Sequence, residues 1–279
     1  MSWIVNHSDA LQTPTPVEYA REQRGNKKAP KIAPPPETKV IEAEYFRDLN
    51  RMVKFQNNTI RQIIMPEIPR IMRKAKADSL KTDYYVDDLD GVMGKARAQF
   101  VEQYPDERIA AMATKAGIVA NNVNKRYYNR MYRLLGLNPL ISEPWLNVKM
   151  KGFTQTNVEL IKGFTDDEYT KVRGIISRGA QAGKTVVEVQ SEVRGTFPMN
   201  KNRAKLIAQD QIQKFNSELN KARQTDAGVK KYIWRTSKDN RVRDRHKARE
   251  NNVYKWSDPP ADGHPGIPVR CRCRAEPVI

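Results

Sequence analysis

The sequence predicts a mainly α-helical protein that ends in a small α+β module containing a short β-sheet. Between Ile41 and Leu135, apolar residues recur at steps of three and four, which is the period of an amphipathic helix. A similar but more interrupted periodicity continues to about Thr225. After Gly228 the period changes to two, as is typical of strands, in two short stretches. Long helices followed by a short sheet are therefore expected.

Composition divides the chain into four segments. Residues 1–40 are rich in proline and lysine and poor in apolar residues, so they are expected to form a flexible or extended arm. Such an arm serves either as a tether or as a polyproline ligand for a partner. Residues 41–150 and 151–228 are predicted to be two helical regions, and residues 229–279 the β-containing module.

The first helical region contains two apolar stripes. The first begins near Tyr45 and is interrupted at Pro66 and Pro69, because proline cannot donate to the helix and clashes with its preceding turn. The second begins after Pro105 and continues to Leu134, which predicts one long amphipathic helix. Both stripes are expected to face neighbouring helices.

The second helical region predicts three short helices and then a longer one from about Asn200 to Thr225. Thr165 precedes two aspartates, so it is expected to cap one of the short helices at its N-terminus. Gly179 and Gly183 are expected to break the chain before Lys184. The two glycines enclose three residues and not the four of a phosphate-binding loop, so nucleotide hydrolysis is not predicted.

The terminal module contains two candidate strands, Tyr232–Thr236 and Val269–Arg274. In the second, a period of two places one apolar face opposite one cationic face. The apolar face is predicted to hold Val269, Cys271 and Cys273, and the cationic face Arg270, Arg272 and Arg274. The arginines are expected to face water, a carboxylate or phosphate.

Net charge points to an anionic partner. The chain has 279 residues, with 50 Lys and Arg against 32 Asp and Glu, which gives a formal charge of +18. Such an excess favours nucleic acid or an acidic protein surface, although solvated helix faces are also often basic. Basic residues alternate with tyrosines near the end of the second long helix, and Tyr127 among them belongs to the apolar stripe. The candidates for contact with nucleic acid are Lys125, Arg126, Arg130, Arg133, Arg270, Arg272 and Arg274.

Other functional classes find little support in the sequence. No stretch approaches the run of about 18 apolar residues expected of a membrane span, so no membrane partner is predicted. The first residues do not resemble a signal peptide. Two cysteines one residue apart do not make a secreted disulfide framework. Because no carboxylate pair or nucleophile motif stands out, the protein is not expected to be an enzyme.

Four possible metal ligands are concentrated in the last 34 residues of the chain: His246, His264, Cys271 and Cys273. Thiolate sulfur and imidazole nitrogen are the ligands that tetrahedral zinc prefers. The Cys-x-Cys spacing is not one of the strong zinc patterns, so two interpretations remain. Either the four residues bind zinc, or the thiols pack as small apolar groups beside Trp234.

The same segment resembles a known family. A Trp-x-Thr strand at Trp234 and Thr236 leads to Asp239, Arg241, Val242, Arg243 and His246, and a Pro-Gly turn leads to Cys271 and Cys273. This order resembles the C-terminal signature of the phage Mu F-like, SPP1 gp7-like minor head morphogenesis proteins. Trp234, Thr236, Asp239, Arg241 and Arg243 are interpreted as structural residues of that motif. Asp239 is expected to accept backbone donors in a turn and to pair with Arg241 or Arg243.

The likeness extends upstream to about Asn157. Residues 202–211 are similar to a helix of the family, although Gln209, Asp210 and Gln211 stand where members usually carry Arg-Thr-Glu. Asn251 and Asn252 fall where members often have glycine, and asparagine tolerates the left-handed conformation better than most residues.

The resemblance implies a minor capsid or head morphogenesis protein of a tailed bacteriophage. Its implied partners are the portal protein, the major capsid or scaffold protein, and double-stranded DNA bound without sequence preference. Its implied location is the virion head or portal vertex, and the host cytoplasm while the head is assembled. The alternative from another class is a metal-dependent nucleic-acid-processing enzyme with its active site in the His/Cys module.

Overall fold

The computed structural model describes residues 14–77, 84–137 and 142–279. It confirms a mainly α-helical protein with a small α+β module near the C-terminus. The helices are α1 (Pro16–Arg24), α2 (Lys39–Thr59), α3 (Ile68–Ala77), α4 (Tyr84–Gln103), α5 (Asp106–Leu134), α6 (Leu146–Gln181), α7 (Val186–Asp226) and α8 (Asp244–Lys247). The strands are β1 (Lys231–Arg235), β2 (Val253–Lys255) and β3 (Arg274–Pro277).

The chain forms two compact units that do not follow the predicted linear segments. Of the described residues, those within 37–120 and 144–215 form one unit, and those within 14–36, 121–143 and 216–279 form the other. In the first unit the apolar stripe of α2 is buried as predicted, with Leu49 and Met52 fully inaccessible. The helix gives way to a π-helical turn at Ile60–Ile64 and a 3-10 turn at Met65–Glu67, so the predicted interruption at Pro66 is confirmed.

Helix α6 corrects the prediction of three short helices, because it joins the first two of them into one. It runs without a break from Leu146 to Gln181, so Thr165 lies in its interior and not at a cap. The Thr165 hydroxyl donates to the Lys162 carbonyl at 2.9 Å instead of accepting a terminal N–H. Threonine satisfies its hydroxyl in this way within a helix, which is why its presence did not mark a boundary.

The break between α6 and α7 lies at Gly183, whose φ of +66° is unfavourable for other residues. The predicted break at Gly183 is confirmed, whereas the one at Gly179 is wrong, because Gly179 lies within α6. Thr185 and Glu188 then form a reciprocal capping box, with Thr185 N donating to Glu188 at 2.7 Å. The two helices predicted beyond this point are one continuous helix, α7, which contains Pro198 in its interior.

The structure also corrects the predicted arm at residues 1–40. Residues 1–13 lie outside the described residues, but Pro16–Arg24 forms helix α1, begun by a capping box at Thr15. Val17 and Ile32 are buried in the core of the second unit, together with Tyr128, Met131 and Tyr132. The backbone N–H of Val17 donates to the Ala227 carbonyl at 3.1 Å. A few well-placed apolar residues therefore anchor this proline-rich segment.

The sheet in the second unit is antiparallel, with strand order β2-β1-β3. Trp234 pairs with Ala275, and Tyr232 with Tyr254, so β1 lies where the sequence predicted it. Strand β3 starts later than predicted, because the Cys271 N–H bonds to the Pro268 carbonyl in a turn and Arg270 has a φ of +58°.

The late start of β3 changes which residues share its apolar face. Val269 lies in the turn and is 52% exposed, so its assignment to the face of the two cysteines was wrong. From Cys271 onward, burial alternates as predicted. Among the described residues, no helix is both long and apolar enough to cross a membrane.

Candidate metal centre

Three of the four predicted ligands meet in the core of the terminal module. His246 lies on the short helix α8, while Cys271 and Cys273 lie in the segment that enters β3. All three are buried, with exposed fractions between 2% and 4%. They pack beside Trp234 of β1, whose ring centroid lies 5.2 Å from that of His246. The sheet and the helix therefore bring together residues that are 25 positions or more apart in the chain.

The donor atoms of this cluster converge. His246 Nδ1 lies 3.6 Å from Cys271 Sγ and 3.6 Å from Cys273 Sγ. The three donor atoms all lie within 4.8 Å of one another. One nitrogen and two sulfurs are therefore close enough to bind the same metal ion.

Asp262 fixes the orientation of the His246 ring. Its Oδ2 lies 3.0 Å from His246 Nε2, and its Oδ1 accepts a hydrogen bond from Arg249 at 2.5 Å. Burial alone would raise the pKa of Asp262, but the hydrogen bonds from His246 and Arg249 lower it to about 2. Because a carboxylate only accepts hydrogen bonds, Nε2 carries the proton. In the neutral ring, Nδ1 then presents its lone pair to the two sulfurs.

A hydrogen bond between the two thiols changes their pKa values in opposite directions. The bond from the Cys273 thiol is the largest cause that lowers the pKa of Cys271, and the Gly266 N–H, 3.4 Å from Cys271 Sγ, acts in the same direction. The same hydrogen bond and burial raise the pKa of Cys273. One sulfur of the pair is therefore the easier one to ionise.

The fourth predicted ligand, His264, has other neighbours. Its Nδ1 lies 3.0 Å from the Tyr232 hydroxyl, its Nε2 lies 3.5 Å from Lys221 Nζ, and its ring packs on Trp256. Burial and the charge of Lys221 lower the pKa of His264 to about 4. His264 is thus a neutral, hydrogen-bonded residue of the module core, and it is absent from the described cluster of donor atoms.

The motif residues shape the loops around the cluster. Asp239 accepts the Arg241 N–H at 3.0 Å and lies 4.0 Å from the Arg241 guanidinium, as expected. Arg243 instead donates to the Val269 carbonyl at 2.7 Å, which ties the turn before β3 to the segment before α8. The Thr236 N–H donates to Glu250 at 2.6 Å. Asn251 has a φ of +68°, so the expected left-handed conformation is confirmed there.

The candidate nucleic-acid contacts separate into two groups. Arg126, Arg130 and Arg133 are exposed on α5, while Lys125 lies 3.6 Å from Glu143. Tyr127 packs against the core of its unit and donates to the Ala33 carbonyl, so its expected packing is confirmed.

The predicted row of outward arginines on β3 requires correction. Arg272 is only 17% exposed and lies 3.6 Å from Asp239. Arg274 donates to the Pro35 carbonyl at 2.9 Å. Arg270 is exposed, but it lies in the turn before the strand. Two of the three arginines therefore hold segments of this unit together.

Sequence reasoning missed Asp262 as the partner of His246 and Arg223 as a buried cation. No local motif marks either residue. Arg223 is fully buried and donates to Asn124 at 2.5 Å and to Asn121 at 2.6 Å. Each partner is distant in sequence, so only the fold identifies these networks.

Fold and site together define a mainly helical protein with a small antiparallel module whose core holds a His-Cys-Cys cluster. Residues 170–276 match the model of a family described as phage Mu protein F like protein. The match confirms the resemblance predicted from the C-terminal motif, so this part of the chain is similar to the phage Mu F-like family. The family is one of bacteriophage proteins linked to head morphogenesis.

The chain is also similar to an uncharacterized protein of Haemophilus influenzae. The two are 26% identical over 264 residues, which cover 90% of this chain and 56% of the relative. The chain thus spans about half the length of that relative. No solved structure matches the chain.

Proposed function

We propose that the protein is a minor capsid or head morphogenesis protein of a tailed bacteriophage. The observation that carries this proposal is the phage Mu F-like match over residues 170–276, which includes α7, the sheet and the His-Cys-Cys cluster. The protein acts by binding other components of the head and not by catalysis. Its site of action is the virion head, at the portal vertex, after assembly in the host cytoplasm.

Double-stranded DNA is the first proposed partner. The chain carries a formal charge of +18, which favours a polyanion. Arg126, Arg130 and Arg133 are exposed and follow one another at steps of four and three, so they lie on one face of α5. Such a row suits contact with phosphates, which is independent of base sequence.

The portal protein is the second proposed partner, and the major capsid or scaffold protein is the third. Apolar side chains of the long helices remain exposed, among them Val148, Val187 and Met199. All three belong to the unit formed by residues 37–120 and 144–215. We assign docking on the portal to this unit, which leaves the arginine row of the other unit available for DNA.

Co-expression with the portal protein of the same phage tests the proposal. The full-length chain is expected to co-purify with the portal, and substitutions of Val148 and Val187 by lysine are expected to weaken the complex. Lysine at exposed Val253, which lies in the other unit, serves as the control. A chain that enters heads without binding the portal would contradict the portal contact and favour a capsid or scaffold contact.

The enzymatic alternative gains no support from the described geometry. The His246 ring directs one nitrogen to Asp262 and the other to two buried sulfurs. A metal-assisted nuclease needs an accessible metal position and a base beside it. His246, the residue that would act as the base, is already committed on both ring nitrogens.

A further inference from the structure

We propose that His246, Cys271 and Cys273 bind one zinc ion, which crosslinks helix α8 to the segment entering β3. The proposal concerns the module core and does not depend on the proposed function. Two sulfurs and one imidazole nitrogen form a donor set that zinc prefers over harder ions such as magnesium or calcium.

The distances fit tetrahedral coordination. With zinc–sulfur bonds of about 2.3 Å and zinc–nitrogen bonds of about 2.0 Å, a tetrahedral angle places nitrogen and sulfur about 3.5 Å apart. His246 Nδ1 lies 3.6 Å from each of the two sulfurs. An ion bound by the three atoms would therefore need little movement of the side chains.

The surroundings of His246 provide an independent observation. Histidine ligands of zinc usually donate their second ring N–H to a carboxylate, which fixes the ring and makes the ligating nitrogen more basic. Asp262 occupies that place at 3.0 Å from Nε2 and is itself held by Arg249 and Arg245. The carboxylate thus aims Nδ1 at the sulfurs whether or not an ion is bound.

Charge balance also favours a divalent ion. Two buried thiolates without a counter-charge would be costly, whereas two thiolates and one zinc ion are neutral together. The Gly266 N–H points at Cys271 Sγ at 3.4 Å and partly compensates its charge. Three protein ligands leave one position of a tetrahedral ion for water, and the burial of all three residues closes that position to a substrate.

The site has a structural use in a module with few regular elements. Strands β1, β2 and β3 contain five, three and four residues, and α8 contains four. Small modules of this kind often gain stability from a metal, because the ion binds the folded chain much more strongly than the unfolded chain. Zinc would connect the two ends of the segment between α8 and β3, which includes β2.

Metal content of the full-length chain, purified without chelator, tests the proposal. The expected result is close to one zinc per chain, with an X-ray absorption spectrum that shows two sulfur and two nitrogen or oxygen neighbours. Cobalt substituted for zinc is expected to give sulfur-to-metal charge-transfer bands. Cys271→Ser and Cys273→Ser are each expected to lose these bands.

Two variants keep the test sharp if a cysteine variant fails to fold. His264→Asn changes the other module histidine and is expected to retain full zinc, because His264 contacts Tyr232 and Lys221 instead of the cluster. Asp262→Asn is expected to retain zinc but to lower the affinity roughly 10- to 100-fold.

The outcomes separate zinc from packed thiols. A folded wild-type chain without metal, whose melting temperature responds to neither added zinc nor chelator, would overturn the proposal. A Cys271–Cys273 disulfide in the native protein would also overturn it, as would zinc that is lost in His264→Asn but kept in Cys271→Ser.

Discussion

Arg223 and Glu143 form a bidentate ion pair in which both side chains are almost completely buried. Arg223 Nε and Nη2 lie 2.6 Å and 3.0 Å from the two carboxylate oxygens, and the side chains are 0% and 3% exposed. The pair connects α7 to the segment before α6 within one unit. Because α7 leads directly into β1, the pair helps to place the terminal module's first strand.

Removal of one member of this pair should be strongly destabilising. Arg223→Met leaves the Glu143 carboxylate, Asn121 and Asn124 buried without the cation that binds them. We expect the free energy of unfolding to fall by about 3–5 kcal/mol. Chemical denaturation of both proteins measures the difference.

Arg173 and Asp90 provide the matched control. This pair is also bidentate, at 2.5 Å and 3.0 Å, but its side chains are 42% and 50% exposed. Arg173→Met should cost less than about 1 kcal/mol, since water screens an exposed pair. Equal losses in the two variants would contradict the role assigned to burial.

The anchoring of the N-terminal segment makes a second prediction. A Cβ added at Gly228 would lie 2.4 Å from Thr15 Cβ, and Gly228 has a φ of +82°. Gly228→Ala should therefore cost about 2 kcal/mol or more, through backbone strain and the displacement of α1. Gly183→Ala should lower the free energy of unfolding by only about 1 kcal/mol, through backbone strain alone, because a Cβ there has no atom within 4 Å. If the two variants lose the same stability, α1 does not pack against Gly228.

A third prediction concerns the dependence of stability on pH. The pKa of His264 falls from 6.5 to about 4 on folding, so between these values the unfolded chain binds a proton that the folded chain does not. The contribution of neutral His264 is complete above pH 6.5 and is lost as the pH falls toward about 4, by up to ~3 kcal/mol.

Unfolding titrations across this range measure the effect. His264→Asn should remove that part of the pH dependence, and Lys221→Met should reduce it, because the Lys221 cation contributes to the lowered pKa. A wild-type profile parallel to that of His264→Asn would refute the assignment.

A fourth prediction concerns the arginine row on α5. Replacement of Arg126, Arg130 and Arg133 by glutamine should weaken binding to duplex DNA uniformly across sequences. Each lost phosphate contact should also reduce the slope of log affinity against log salt by about 0.9. Replacement of exposed Arg194, Lys201 and Lys205 on α7 removes the same charge and serves as the control. Equal effects in both triple variants would mean that net charge, and not this row, determines binding.

Helical periodicity predicted α2 and α5 correctly, because apolar residues along each helix, such as Leu49 and Ile109, are buried. The α5 stripe is buried only in part, since Leu134 at its end is 55% exposed. The prediction failed at Thr165, because the local sequence does not distinguish a threonine that bonds within its own helix from one that caps a helix. Asn251 was interpreted correctly because its conformation is a local property. The prediction of a flexible arm at residues 1–40 was wrong, because Val17 is held by a residue distant in sequence, Ala227.

The same distinction applies to the candidate site. The residue types and their concentration near the C-terminus predicted a cluster of His246, Cys271 and Cys273, but the prediction also included His264. They could not show that Tyr232 and Lys221 engage His264, or that Asp262 orients His246. Those contacts depend on the sheet register and on the loop that precedes β3.

Quantitative mass spectrometry of purified, DNA-filled phage heads tests the central claim most directly. If the chain is a minor head protein, nuclease-treated heads should contain it in a fixed ratio to the portal protein, and that ratio should persist through repeated purification. A chain that is expressed during infection but absent from heads and from their assembly intermediates would contradict the account.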